Sequence, residues 1–229
     1  MLGLLILVAI VSFFIWASAD INSGVYVHCR CKGKTENKDI ALTFDDGPDP
    51  VQTPKILDVL KQQNIKATFF LVGEKVLAHP DIVLRIHKEG HIIGNHTYSH
   101  NSAYPLWSAK RIRKNIQKAN EAIYRIIGYK PRLFRPPFGV TNPSIAKAIN
   151  GQYTCIGWNI RSFDTIEKRN REEICTRIIN KLEKGSIILL HDRCPKSEIL
   201  LVQLLSELQK RDFNVESLDK ILNIEAYEI

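Results

Sequence analysis

Two imidazoles four residues apart, at His96 and His100, and two adjacent carboxylates, at Asp45 and Asp46, are the groups of this chain best suited to act on another molecule. Imidazole is a ligand for zinc and other borderline metals. If the His96–His100 segment forms one helical turn, both rings point the same way. A facing carboxylate then completes a site of two histidines and one carboxylate, with positions left open for water and substrate. Two neighbouring carboxylates at the end of an apolar strand repel each other and resist burial, and a cation relieves that strain. Gly47 and Pro48 come next and force a turn, so one carboxylate can ligate while the other stays free as a base. Taken alone, each pair has a blander reading, as surface histidines and as a solvated turn. His191 follows the run Ile187–Leu190, and an imidazole at such a rim suits a general acid, its ordinary pKa of about 6.5 lying near working pH. Arg135 precedes Pro136-Pro137-Phe138-Gly139 and could steer a carboxylate or simply sit at the edge of the core.

The elements that must position these groups alternate regularly. Strands are expected at 40–44, 67–72, 92–95, from 133, at 153–158, 186–190 and 213–215. Helices are expected at 54–63 with Thr53 as N-cap, 81–89 closed by Gly90, 105–127 with Gly128 beyond, 143–150 capped by Asn142, 171–184, and 197–211. A repeating strand–helix order implies parallel strands covered by helices, and seven units suit a barrel. In such barrels the chemistry lies at the C-terminal ends of the strands. Asp45 and Asp46 follow the first strand, His96 and His100 the third, Arg135 the fourth, Asp164 the fifth and His191 the sixth, which places all of them at that end.

Four motifs occur in order: Thr43-Phe44-Asp45-Asp46-Gly47-Pro48, His96-Thr97-Tyr98-Ser99-His100, Arg135-Pro136-Pro137-Phe138-Gly139 and Leu189-Leu190-His191-Asp192. Together they resemble the polysaccharide deacetylase family, also called the NodB-homology or carbohydrate esterase family 4 domain, over about residues 38 to 215. The resemblance implies a distorted (β/α)7 barrel that removes acetyl groups from N-acetylated sugars. It implies Asp46, His96 and His100 as ligands of a divalent metal, Zn2+ or alternatively Co2+ or Ni2+. Asp45 is implied as general base, Arg135 as the arginine orienting it, and His191 as general acid. Asp164 is implied to tune His191, the backbone N–H near Phe138 to bind the oxyanion, and Leu189 to line a pocket for the acetyl methyl. Opposed protonation demands on Asp45 and His191 predict a bell-shaped pH–rate profile. The chain departs from the family pattern around Asp164. The tryptophan expected next to it is Thr165, and an aspartate common three residues upstream is Arg161. The methyl pocket is then looser or built by Trp158. An O-acetyl esterase on acetylated polysaccharide and a non-catalytic glycan-binding protein of the same fold are the alternatives.

With 229 residues, 45% hydrophobic and 24% charged, the chain has the composition of a globular protein with one domain. Its net charge of +8 could serve nucleic acid, an anionic surface or an acidic polymer. No nucleic-acid recognition motif accompanies the charge, so a nucleic-acid partner is not expected. Five cysteines exclude a complete disulfide framework, and Cys155 lies in an apolar run as a small buried hydrophobe. The segment 1–19 is apolar and uncharged, and ends in Ala17-Ser18-Ala19. It reads either as a signal peptide cleaved at an A-x-A site or as an N-terminal membrane anchor. The positive charges downstream, at Arg30, Lys32, Lys34 and Lys38, oppose export by the positive-inside rule, and Trp16 at the boundary favours the anchor. Residues 20–38 are then a linker, and 39–229 the catalytic domain, working outside the cytoplasm on an N-acetylated glycan.

Overall fold

The computed structural model describes residues 1–228. A helix α1 (Leu2–Ala19) projects from the barrel, exposed at every residue from Leu2 to Trp16 and buried at Ala17. Next come β1 (Asp39–Gly47), α2 (Gln52–Gln62), β2 (Thr68–Leu71), α3 (Gly73–Ala78), α4 (Pro80–Lys88), β3 (Ile92–Asn95), α5 (Ala109–Ile127), β4 (Leu133–Phe134) and α6 (Pro143–Ile149). The chain continues through β5 (Thr154–Cys155), β6 (Ile160–Arg161), α7 (Arg171–Ile179), β7 (Ile187–His191), α8 (Ser197–Gln209), β8 (Asn214–Val215) and α9 (Leu218–Leu222). The strands pair in parallel in the order β5-β4-β3-β2-β1-β7-β6, with β8 beside the start of β1. This is the expected distorted (β/α)7 barrel, open along one seam between β5 and β6.

Alternation along the strands sorts side chains into two layers. Ile40, Leu42 and Phe44 of β1 pack outward with the helices, in a cluster that includes Ile56, Leu57, Leu60 and Leu204. Ala41 faces the interior with Phe70, Phe134, Leu189 and Trp158. The next inward positions of β1 are Thr43 and Asp45, so the strand that fills the barrel with apolar side chains at its base ends in reactive ones at its mouth.

Several expected boundaries move, each for a local reason. The single strand expected at 153–158 is two short ones, because residues 156–159 cross from β5 to β6 at the seam, and Asp164 therefore follows β6. Thr53 lies inside α2 and is not its cap. Asp49 takes that part, its Oδ1 accepting from the N–H of Val51 and Gln52. The long helix begins later than expected, at Ser108, whose Oγ accepts from Arg111 N–H, while Tyr104–Leu106 form a separate 3-10 turn. Asn142 does cap α6. The helix α7 stops at Ile179 rather than 184, because the chain must turn back to reach β7. Gly185, at φ 77°, makes that return possible where a Cβ would strike the carbonyl of Gly33. α3, β6 and α9 were not expected.

Residues 20–38, expected as a linker, contain no helix or strand but are not a free tether. Ile21, Val27 and Cys29 are buried. Arg30 N–H donates to Cys155 O, Gly157 N–H to Arg30 O and Gly33 N–H to Gly185 O. The segment therefore lies over the seam and satisfies backbone groups that the missing β5–β6 pairing leaves open.

Candidate metal centre and active site

The carboxylate pair is placed by an irregularity in β1. Asp45 pairs with Phe70 and Gly47 with Leu71, so the register slips at Asp46, which adopts φ 74°. That bulge lets two adjacent side chains reach the same mouth. The histidine pair is not on a helical turn. His96 ends β3, donating its N–H to Leu71 O, and the loop beyond it uses left-handed backbone at Thr97 (φ 69°) and His100 (φ 44°). Asparagines hold this loop, Asn95 and Asn120 buried and Asn115 half-buried. Asn95 Oδ1 accepts from Thr97 N–H, Asn95 Nδ2 donates to Asn120 Oδ1, and Asn115 Oδ1 accepts from Tyr98 N–H. The loop geometry brings the rings together, with centroids 4.9 Å apart.

Asp46 Oδ1 lies 3.4 Å from His96 Nε2 and 3.2 Å from His100 Nε2. Three ligands bonded to one zinc at about 2.0–2.1 Å in tetrahedral geometry would stand roughly 3.3 Å apart. The donor set therefore fits a metal ion of that size. His96 Nδ1 lies 2.8 Å from Arg135 O, which fixes the ring with Nε2 turned inward. The electrostatics agree with the geometry. Burial alone would raise the Asp46 carboxyl, but His96, His100 and Arg193 hold it well below the usual range. Burial would lower His96, yet Asp45 and Asp46 outweigh it and raise it. Burial and the His96 charge together lower His100 to about 4.

Asp45 does not belong to that triangle. Its Oδ1 accepts from Arg135 Nη1 at 2.7 Å, while Oδ2 sits 3.8 Å from His96 Nε2. Arg135 is fully buried, and its other donors reach Thr43 Oγ1, Ile156 O and Gly157 O. Phe70 and Trp158 flank the guanidinium at 4.1 and 5.5 Å.

The opposite wall comes from β6 and β7. His191 Nδ1 lies 2.8 Å from Asp164 Oδ1, and His191 N–H donates to Asp164 Oδ2. Burial would lower this imidazole, but the Asp164 hydrogen bond and charge raise it. Phe138, at φ 62°, caps the mouth with its ring 4.8 Å from that of His100, and its N–H meets no acceptor among the described residues. Trp158 is buried beneath Gly139, where a Cβ would strike its ring, and Leu189 is buried in the barrel interior. Thr165 lies beside Asp164 on the wall of a cleft of about 440 Å³ with Arg169, Arg193 and Lys196.

Two contacts escaped sequence reasoning. Arg193 Nε donates to Asp46 Oδ2 at 2.7 Å, and Lys75 Nζ donates to Asp46 O. Nothing in the sequence marks Lys75. Arg193, two residues past His191, carried a positional signal. Asn120 also carried one, being a polar residue on the apolar face of α5.

A parallel barrel with a carboxylate and two imidazoles at its mouth narrows the chain to few groups of proteins. The profile of the polysaccharide deacetylase family matches residues 32–153, and the chain belongs to that family. It is 41% identical over 162 residues to a peptidoglycan-N-acetylglucosamine deacetylase of Bacillus cereus, a match covering 69% of this chain and 58% of that protein. A second B. cereus protein of the same name is 35% identical, over 81% of this chain and 88% of the relative. A crystal structure of a peptidoglycan N-acetylglucosamine deacetylase in complex with an N-oxidanyl-benzamide superposes with a TM-score of 0.80 at 33% identity. It covers 86% of this chain and 94% of that one. The chain thus spans less than two thirds of the first of these relatives and nearly all of the others.

Proposed function

We propose that this chain is a divalent-metal-dependent hydrolase that removes N-acetyl groups from polysaccharide or oligosaccharide containing N-acetylglucosamine, peptidoglycan or a chitin-like polymer. The observation that carries the reading is the Asp46–His96–His100 triangle with the unligated Asp45 carboxylate beside it. Asp46, His96 and His100 would hold the ion, of which Zn2+ suits the donors best. Bound there, it supplies Lewis acidity toward the acetyl carbonyl and the attacking water. Asp45, fixed through Oδ1 by Arg135, offers Oδ2 to the proton that the water loses as it attacks. The Phe138 N–H donates to the oxygen that gains charge, and His191, held at Nδ1 by Asp164, delivers a proton from Nε2 to the leaving nitrogen. Phe138 and Trp158 bound the acetyl end of the site, with Leu189 beneath.

The activities for which the relatives are named support a cell-envelope glycan as substrate, and hence work outside the cytoplasm. The apolar α1 supports attachment to a membrane, and Trp16 at its boundary is the feature on which we read it as an anchor and not a cleaved signal. The test is acetate release from a panel of N-acetylated glycans and from O-acetylated xylan, with and without chelator. Release from the N-acetylated panel that stops with chelator and returns with zinc is expected. Release from the xylan alone would replace the amidase reading with an esterase one.

A further inference from the structure

α1 is not joined to the barrel by a flexible tether. Its last turn is seated on the catalytic mouth. Ala17 is fully buried, Ser18 O accepts from Thr141 N–H at 3.0 Å, and Ala17 O accepts from Thr141 Oγ1. Ile21, one residue beyond the helix's C-cap Asp20, sits in the interior cluster with Trp158. Thr141 is itself buried and lies three residues past Phe138, on the chain leaving the C-terminal end of β4. An apolar helix leaving from this point carries the mouth with it.

The rim next to that seat has the composition of a membrane interface. Asn142 Nδ2 donates to Pro105 O, and the adjoining Leu106 is 87% exposed, packed against nothing that explains a leucine. Lys110, Arg111 and Lys114 lie on the first turns of α5 and form no salt bridge among the described residues. Arg111 stacks on Trp107 at 3.8 Å. Trp107 and Arg111 thus set an aromatic and basic pair beside one exposed apolar side chain.

We propose that the mouth rim formed by Leu106, Lys110, Arg111 and Lys114 docks on the surface of an anionic phospholipid bilayer, and that the active site therefore serves N-acetylated glycan held at the membrane. The inference rests on the anchor reading above and adds an orientation to it. Basic side chains near an anionic leaflet gain roughly 1 kcal/mol each, about fivefold in occupancy, and the gain decays within a Debye length. Leu106 supplies the apolar contact that keeps the rim seated.

The full chain is reconstituted in vesicles of phosphatidylcholine alone or with one third phosphatidylglycerol. An environment-sensitive fluorescent residue replaces Leu106 or, as control, Val202 on the outer face of α8. Headgroup-nitroxide lipids should quench position 106 in the anionic vesicles and leave position 202 unquenched. The pair Arg111→Glu and Lys114→Glu should remove that quenching. The same pair should lower turnover of a vesicle-borne N-acetylated glycolipid at least fivefold and leave turnover of a soluble oligomer unchanged. Equal quenching at 106 and 202 while the protein still sediments with the vesicles overturns the docking, as does an equal loss on both substrates. Release of the protein from washed vesicles removes the anchor and the docking together. Inactivity of the unmodified chain on the soluble oligomer sinks the deacetylase reading instead, and the quenching still decides the docking.

Discussion

On the β1, β3 and β4 side of the mouth, His96 and Arg135 are almost wholly enclosed, and each is held by several partners. On the β6 and β7 side, His191 depends on one carboxylate, Asp164, and Arg193 is about half exposed. The first wall is over-determined. Asp46, Thr97, His100 and Phe138 all adopt left-handed backbone there, against Phe163 and Lys196 on the other side, a cost a fold tolerates only where surrounding contacts enforce it. On the second wall His191 ends the paired strand β7, while the loop segments that carry Asp164 and Arg193 are fastened at fewer points. This is also where the chain departs from the family pattern, at Arg161 and Thr165. On the proposed roles, a site built this way would hold its cation and its base more rigidly than the surroundings of its acid.

The comparison breaks most sharply at the cation. Asp46→Ala or His100→Ala should abolish metal retention, read by elemental analysis after dialysis, and lower kcat/KM by about 10³ or more. A variant that stays loaded and active would mean that the triangle is only structural. Asp45→Asn separates the two tasks of the buried wall. Metal content should persist while turnover falls by roughly 10²–10⁴, the range for loss of a general base. The same change leaves the Arg135 guanidinium buried without a counter-charge. Thermal unfolding should report destabilisation of up to about 3–5 kcal/mol, the cost of breaking a buried ion pair, with the retained Asn hydrogen bond placing it toward the lower end.

The acid wall responds through pH. In the proposed role of proton donor His191 would act while protonated, and Asp164 raises its pKa above 6.5 against the burial that lowers it. Activity is therefore lost as pH rises through that raised value. In Asp164→Asn burial prevails, and the alkaline limb of kcat/KM should move about 1–3 units toward acid with the metal content unchanged. An unmoved limb would assign the proton donor elsewhere. The buried wall predicts no such movement, so this measurement tells the two halves apart directly.

The parallel architecture and the gathering of the candidate residues at one mouth were legible because both depend on strand ends. Apolar runs such as Ile187–Leu190 mark buried strands, and the residues just past their ends lie at the mouth. The way the residues meet was not legible. One helical turn for His96–His100 is the natural inference from a four-residue spacing, yet the fold uses two left-handed residues and three asparagines, two of them from α5. Local propensity does not encode that choice, because contacts distant in sequence impose it. The segment 20–38 failed as a linker for a related reason. It is polar and irregular, and nothing local announces that the seam between β5 and β6 needs its backbone groups. Arg193 was missed because an exposed arginine near a motif looks like solvated surface until its partner is known.

Arg193 is also where the smallest effect is expected and where the contrast between the walls becomes quantitative. It belongs to the exposed side but holds Oδ2 of Asp46, so it is the one charged link, among the described residues, from the loose wall to the rigid triangle. Its exposure argues that the ion pair contributes little to folding, and Arg193→Gln should leave the melting temperature nearly unchanged. Its geometry argues that it orients a ligand, turning Asp46 Oδ1 toward the imidazoles. Removing such an outer partner costs roughly 10–100-fold in metal affinity. Since Lys75 and the register slip in β1 also fix Asp46, the low end applies. Zinc competition should show about tenfold weaker binding, with kcat restored at saturating metal. If binding is unchanged, the buried wall alone sets the ligand. If kcat stays low at saturation, Arg193 acts on the substrate and the acid wall is less passive than its exposure suggests.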